Sequence, residues 1–298
     1  MALHNTPSFD VVVVGSANLD LVARATRLPK PGETVTGSHF FEACGGKGVN
    51  QAIAAARAGA KTAFIGALGN DHAGETLLAA LKNDHVDISA VRRVSAPTGR
   101  ALIGVGDDGE NLIIVVPGAN HAITVDDLEK NSALISQAKV LLCQLEVKLD
   151  VVQRAFEIAG SSTVRILNPA PAQILSRELL SKVDVIIPNE HEVDLLGGSA
   201  KLLTQGVKSV VVTLGAKGAM LVNAAGATQV DPLKVTSIDS TGAGDAFCGM
   251  LAACLAAGRS MGDSLRAAVI SGALATQIEG AVPSLPLWSM VQTKLESL

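Results

Sequence analysis

The chain has 298 residues, 48% hydrophobic and 17% charged, which is ample material for a core and excludes a disordered chain. Aromatics make up only 2%, so the core must be built from Ala, Val, Leu and Ile, a mix suited to buried parallel strands under Ala-rich helices. A net charge of -4 with no basic run excludes a nucleic-acid footprint, and no apolar stretch reaches the roughly 18 residues of a membrane span.

Met1 to Phe9 lacks the basic start and apolar run of a signal peptide. The first β-branched run, Val11 to Val14, reads as a buried strand and leads into Gly15-Ser16-Ala17-Asn18-Leu19-Asp20. Asn18 and Asp20, two apart, point to the same side; an amide beside a carboxylate can grip adjacent sugar hydroxyls, although both are also ordinary turn formers. Residues 19–43 carry Leu28-Pro29-Lys30-Pro31-Gly32 and then a β-leaning run from Glu33 to Phe41. Gly45-Gly46-Lys47-Gly48-Val49-Asn50-Gln51-Ala52 opens a helix expected over Gly48 to Gly59. It is not a Walker A loop, because Phe41 stands where the first glycine belongs and Gly48 occupies the Ser/Thr place. Lys47 and Asn50 supply donors and an amide at one helix end, which suits polyol hydroxyls; a tight turn with a cap is the plainer reading of the same residues.

A strand over Thr62 to Ala67 and a helix over Asp71 to Asn83 follow. Residues 98–118 read as two strands around the polar turn Asp107-Asp108-Gly109-Glu110-Asn111. Gly104 to Gly109 spells G-x-G-x-x-G, but a turn and a strand follow it where a dinucleotide fingerprint needs a helix. Neither 19–43 nor 98–118 fits a crossover helix; together they make a small sheet outside the main one, a lid over the strand ends. Beyond it the strands Val140 to Leu145, Val164 to Leu167, Val183 to Pro188 and Ser209 to Leu214 alternate with helices over Val125 to Gln137, Leu149 to Gly160 and Ala172 to Ser181. A hairpin around Ala224-Ala225-Gly226, two long helices (Ala243 to Ala257, Met261 to Ile278) and a last helix from Pro286 to Leu295 complete the chain. Such alternation specifies a doubly wound α/β fold, a mainly parallel sheet flanked by helices, with right-handed crossovers. The expected division is an α/β catalytic domain of residues 1–18, 44–97 and 119–298 and a β lid of residues 19–43 and 98–118.

Asp239-Ser240-Thr241-Gly242-Ala243-Gly244-Asp245-Ala246-Phe247 leads directly into an apolar helix. Small residues there expose backbone N–H groups that the macrodipole makes positive, an anion hole suited to a phosphate, with Asp245 in the first turn beside it. A helix capped by Thr241 would explain an acidic first turn, but needs neither glycine. Cys44, Cys143, Cys248 and Cys254 show no C-x-x-C spacing and read as reduced thiols of a cytoplasmic protein; the six histidines have no metal-ligand spacing.

Asn18-Leu19-Asp20, Gly45 to Ala52 and Asp239 to Phe247 resemble the signatures of the ribokinase-like (PfkB) carbohydrate kinases. Pro31-Gly32-Glu33-Thr34, Asn168-Pro169-Ala170-Pro171, Pro188-Asn189-Glu190-His191-Glu192 and Thr213-Leu214-Gly215-Ala216-Lys217-Gly218 agree, in the expected order over nearly the whole chain. The resemblance implies ATP-dependent phosphorylation of the end hydroxyl of a small sugar, ribose foremost, with deoxyribose, fructose and nucleosides such as adenosine as alternatives. A non-catalytic sugar-binding protein of the same fold is the alternative from another class, which the intact Asp245 and anion hole argue against. It implies that Asn18, Asp20, Gly46, Lys47, Asn50 and Glu146 hold the sugar, that Asp245 is the catalytic base, and that Gly242, Ala243 and Gly244 form the anion hole. Asn189, Glu192, Thr213, Gly215 and Gly218, together with Gly244, would lie along ATP and its Mg²⁺. Asp239, Thr241, Ala275, Ile278, Gly280 and Ser284 would surround a monovalent cation, usually K⁺, mostly through backbone carbonyls. A homodimer joined through the lids is also implied. One departure is the short Ser199 to Gln205 segment, about two helical turns where the family carries a longer helix.

Overall fold

The computed structural model describes residues 9–297. In chain order the strands are β1 (Val11–Val14), β2 (Asn18–Ala25), β3 (Gly37–Gly45), β4 (Thr62–Ile65), β5 (Ala67–Gly69), β6 (Arg92–Val94), β7 (Gly99–Gly106), β8 (Asn111–Val116), β9 (Val140–Cys143), β10 (Val164–Leu167), β11 (Val185–Ile186), β12 (Ser209–Thr213), β13 (Ala219–Asn223) and β14 (Gly226–Val230). The main sheet has eight strands in the order β14-β13-β12-β11-β10-β9-β1-β4. From β12 to β4 every pairing is parallel; β13 and β14 add the antiparallel hairpin at one edge.

The unbroken run of valines in β1 follows from burial on both faces. Val12 and Val14 belong to the layer that holds Leu128, Val151, Val152 and Phe156. Val11 and Val13 face the opposite layer, with Val49, Ile53, Phe247 and Leu251. A strand with helices on both sides has no solvent face to mark with polar residues, so alternation disappears.

Three expected helices differ from the sequence reading. Val125 to Gln137 breaks into Val125–Lys130 and Ser132–Ser136, because the Asn131 carboxamide donates to the Asp127 carbonyl (2.8 Å) and ends the first piece. Of Ala172 to Ser181 only Arg177–Leu180 is helical; Ser176 caps it by accepting from the Leu179 N–H at 3.1 Å, so the helix starts there. The helix expected to reach Ile278 stops at Ala275, where the Thr276 carbonyl turns away to accept from the Ile238 and Asp239 N–H groups. The short segment after residue 198 forms the single helix Ser199–Thr204, anchored by buried Leu202.

A second sheet of four strands, in the order β3-β2-β7-β8, stands apart from the main one and forms the lid. Asn18, Asp20 and Gly45 therefore belong to lid strands: β2 begins at Asn18 and β3 ends at Gly45, at the lid's junction with the α/β core. In register across the lid, Asp20 lies beside Ala43 on one strand and Ala101 on the other, and Ala101 lies beside Val115. Side chains so paired share a face, and that face carries Asp20.

Candidate active site

Register decides what the main sheet presents at its carboxyl edge. Val14, Cys143, Leu167 and Ile186 pair in line across β1, β9, β10 and β11. The next residues, Gly15, Gln144, Asn168 and Ile187, therefore form a row just beyond the strand ends. Ligands in open α/β sheets bind at such an edge.

Two helix N-termini meet above this row. The helix Lys47–Arg57 starts from Gly46, whose φ of 87° is a conformation that glycine adopts without strain. A Cβ there would also lie only 2.6 Å from the Asn18 nitrogen. The first N–H groups of this helix are satisfied from outside: the Lys47 N–H donates to Glu146 Oε2 (3.2 Å) and the Gly48 N–H to the Ser16 hydroxyl (3.3 Å). Ser16 in turn donates to Glu146 Oε2 at 2.5 Å, so this carboxylate caps the helix.

The second helix, Ala243–Ala256, starts from left-handed Gly242 (φ 77°) and has no side-chain cap. Its Ala243 N–H already donates to the Ser240 carbonyl at 3.2 Å, whereas the Gly244 N–H has no hydrogen-bond acceptor among the described residues. The two helices cross closely at Gly249, where a Cβ would lie 2.5 Å from the Ala54 Cβ and 2.7 Å from the Gln51 carbonyl. One turn earlier on each helix, that close crossing sets Asn50 and Gln51 against Asp245. Asn50 Nδ2 donates to Asp245 Oδ2 (2.9 Å) and Gln51 Nε2 donates to Asp245 Oδ1 (2.8 Å). Asp245 is buried, yet it lines a cleft of about 490 Å³ together with Lys47, Asn189, Glu192, Thr213 and Gly244.

The electrostatics follow from crowded carboxylates. Burial, then the charges of Glu146 and Asp245, push the Asp20 carboxyl up to about 7. Burial works against the Lys47 ammonium, but the charges of Asp245, Glu146 and Glu192 outweigh it and hold Lys47 above its ordinary range. Asn50 Oδ1 is buried without a partner among the described residues, an acceptor waiting for a donor. Asn18 is fixed by a residue that sequence reading did not single out: Asn120 Nδ2 donates to Asn18 Oδ1 (2.7 Å) while Asn120 Oδ1 accepts from the Ala17 N–H (2.8 Å).

Further along the cleft, Asn189 and Glu192 cap their own helix reciprocally, the Glu192 N–H donating to Asn189 Oδ1 and the Asn189 N–H to Glu192 Oε2. Thr213 and Gly215 line the cleft with them; Gly218 instead closes the turn against β14, where a Cβ would run into the Val230 carbonyl. Beside the second helix mouth, the Asp239 carboxylate accepts from the Thr241 N–H (2.9 Å), the Thr241 hydroxyl (2.7 Å) and the Gly280 N–H (2.8 Å). These contacts hold Asp239 below the usual carboxylate range although burial opposes them. They also tie residues 238–241 to 275–280, and the Ala281 Cα packs against Gly242. Ser284, on the helix Ala281–Ser284, donates to the Ala281 carbonyl.

A buried carboxylate at an open helix mouth, facing a second mouth lined by amides and a lysine, is the arrangement of a phosphotransferase acting on a hydroxyl. The pfkB family carbohydrate kinase model matches residues 8–288, and the chain belongs to that family. Within it, the chain is 38% identical over 290 residues to the ribokinase of Haemophilus influenzae, covering 93% of this chain and 95% of that one. It is also 38% identical to the ribokinase of Mus musculus, over 93% of this chain and 91% of that one. The structure of Arabidopsis thaliana ribokinase complexed with ribose and ATP matches with a TM-score of 0.89 at 33% identity, covering 97% of this chain and 99% of that chain.

Proposed function

We propose that the protein transfers the γ-phosphoryl group of ATP to the 5-hydroxyl of D-ribose, giving ribose 5-phosphate and ADP. The observation that carries this reading is the juxtaposition of buried Asp245 with the free N–H at Gly244, on one helix turn, in a cleft of about 490 Å³. Ribose lies between the lid and the two helix mouths. Asp20 and Asn18 from the lid, Lys47 and Asn50 from the first helix, the Gly46 backbone and Glu146 meet its hydroxyls, and orphaned Asn50 Oδ1 accepts one of them. The 5-hydroxyl gives its proton to Asp245 as its oxygen attacks phosphorus. Charge growing on the phosphoryl oxygens meets the N–H groups at Gly242 to Gly244, of which those of Gly242 and Gly244 have no acceptor among the described residues. Little covalent work is left to the protein, so positioning and this field supply the acceleration.

Asn189, Glu192, Thr213 and Gly215 run along the nucleotide, with Gly218 fixing the turn behind them. Glu192 uses one carboxylate oxygen for its helix and keeps the other, which suits outer-sphere contact with a Mg²⁺ carried on the phosphates. Such an ion neutralises phosphate charge. Asp239, Thr241 and the carbonyls of Ala275, Ile278, Gly280 and Ser284 are hard oxygen donors on loops and helix ends that meet beside the anion hole; they fit a monovalent cation, K⁺, that would stiffen it. Residues 19–43 and 98–118 act as a lid that excludes water, and the lid sheet of a second copy completes a homodimer. Free, mostly buried thiols suit the cytoplasm.

Replacement of Asp245 by Asn tests the central claim. Turnover should fall by roughly 10²–10⁴, the worth of a positioned base, with ribose and ATP binding retained by calorimetry. Near-normal turnover would remove Asp245 from the role.

A further inference from the structure

The carboxylate of Asp245 does not stand alone on its helix. Gln51 is fully buried, and its Nε2 donates to both Asp245 Oδ1 (2.8 Å) and Asn168 Oδ1 (3.1 Å). Its Oε1 accepts from Gln144 Nε2 at 2.7 Å. Asn168 is fixed in turn, donating from Nδ2 to the Ile187 carbonyl at 2.9 Å. Gln144 and Asn168 are the residues that strand register places side by side beyond β9 and β10.

These contacts leave the Gln51 carboxamide one orientation. Turning it over would set Oε1 against the Asp245 carboxylate and Nε2 against the Gln144 donor, two repulsive contacts in a buried site. The price is visible at Gln144, whose Oε1 is buried with no partner among the described residues, in a gap open because Gly15 has no side chain. A fold seldom leaves such an atom unpaired without a return elsewhere.

We propose that Gln51 is the positioning residue of the catalytic base, locked by Gln144 and Asn168, and that Asp245 Oδ2 is the oxygen that accepts the sugar proton. The inference rests on the reading of Asp245 as base. Gln51 is sealed from the cleft and keeps Oδ1 throughout. Asn50 sits in the ribose site, so its donation to Oδ2 is the one that ribose exchanges for its own hydroxyl. The 5-hydroxyl then donates to Oδ2, the O–H bond breaks toward that oxygen, and the new bond forms between the sugar oxygen and the γ-phosphorus as the bond to the ADP oxygen breaks.

A double-mutant cycle on the full chain tests this. Gln51→Met keeps length and helix preference but removes both polar atoms. It should lower kcat by about 10- to 100-fold, as small misplacements of a reacting group do, with KM for ribose and ATP within about threefold of the parent. In an Asp245→Asn background the same change should leave kcat within about twofold, because a residue that acts through the base has nothing left to position. An equal loss in both backgrounds would make Gln51 a purely structural residue, and an unchanged kcat in the single variant would sink the proposal outright. Should Gln51→Met not fold, Gln144→Met runs the same cycle from one contact further out. Normal turnover of Asp245→Asn by itself would instead overturn the base assignment, so the two failures are separable.

Discussion

Gly244 offers a perturbation that separates ligand space from folding. Its φ is not left-handed, and no protein atom outside its own helix turn lies within 4 Å of the place a Cβ would take. Nothing in the packing of the chain requires glycine here, unlike Gly249, whose Cβ would strike the neighbouring helix. An alanine at 244 should be accepted by the fold and should even stabilise the helix, by up to about 1 kcal/mol, the usual difference between the two residues. The methyl group would project into the space where a transferring phosphoryl group must come within about 3 Å of the Gly244 N–H. Loss of one such donor contact costs about 10²- to 10³-fold in kcat. Urea unfolding and a coupled ADP-release assay with ribose read the two quantities on the same preparation. Gly244→Ala should show an unchanged or raised unfolding midpoint together with a collapse of turnover. Full activity would refute the anion hole, and a lowered midpoint would show that glycine serves the fold after all.

Two further outcomes are expected. Asp20 has its carboxyl pushed up to about 7 in the fold against 3.8 unfolded. The folded chain thus holds this proton more tightly: the group is harmless below about pH 4 and destabilises the sugar-free protein increasingly as pH rises toward 7, by roughly 4 kcal/mol at full extent. Asp20→Asn should therefore raise the thermal midpoint of the sugar-free protein at about pH 8 but not at about pH 4, while weakening ribose binding; an equal shift at both pH values would remove Asp20 from this account. The lid edge gives the second. Strand β8 exposes Leu112, Ile113, Ile114, Val115 and Val116, apolar on both faces, a pattern that calls for cover on both faces. Ile114→Lys should convert a sedimenting dimer to monomer, and a parent chain that already sediments as a monomer would exclude the lid-to-lid assembly.

Much of this site was legible because backbone chemistry leaves local marks. Gly46 and Gly242 announce helix mouths, and Lys47, Asn50 and Asp245 stand within four residues of them. The buried strands could be read from valine runs such as Val11 to Val14. What escaped depends on neighbours remote in sequence. Gln51 and Gln144 are 93 positions apart, and their contact exists only because β9 and β10 pair in one register beside β1. Taken alone, Gln51 looks like a polar residue on an Ala-rich helix, and no periodicity shows that it is fully buried. Asn120 was invisible for the same reason, lying 102 residues from the Asn18 it fixes. The breaks at Asn131 and Thr276 were missed because side-chain and loop competition for helix carbonyls overrides a continuing apolar pattern.

The charges in the cleft explain why its two ends must work differently. Among the described residues that line it, Lys47 is the one lysine or arginine, set against the carboxylates of Glu192 and Asp245 and of Glu190, which Lys217 pairs from outside the cleft at 3.0 Å. A neutral sugar enters such a site without electrostatic cost and is rewarded by acceptors for its hydroxyls. A triphosphate with several negative charges is not: at the effective dielectric of a protein surface, one unlike pair at 4 Å is worth about 4 kcal/mol and one like pair costs as much. Lys47 cannot balance both the carboxylates around it and the nucleotide. The helix dipole at Gly242 to Gly244 supplies only about half a charge. We expect the remaining compensation to travel with the nucleotide as a divalent cation, with Glu192 placed to favour it, since Glu190 is already paired with Lys217. Acidity at the nucleotide end is therefore compatible with ATP binding: turnover should require a divalent cation, and full turnover in excess chelator would refute this reading.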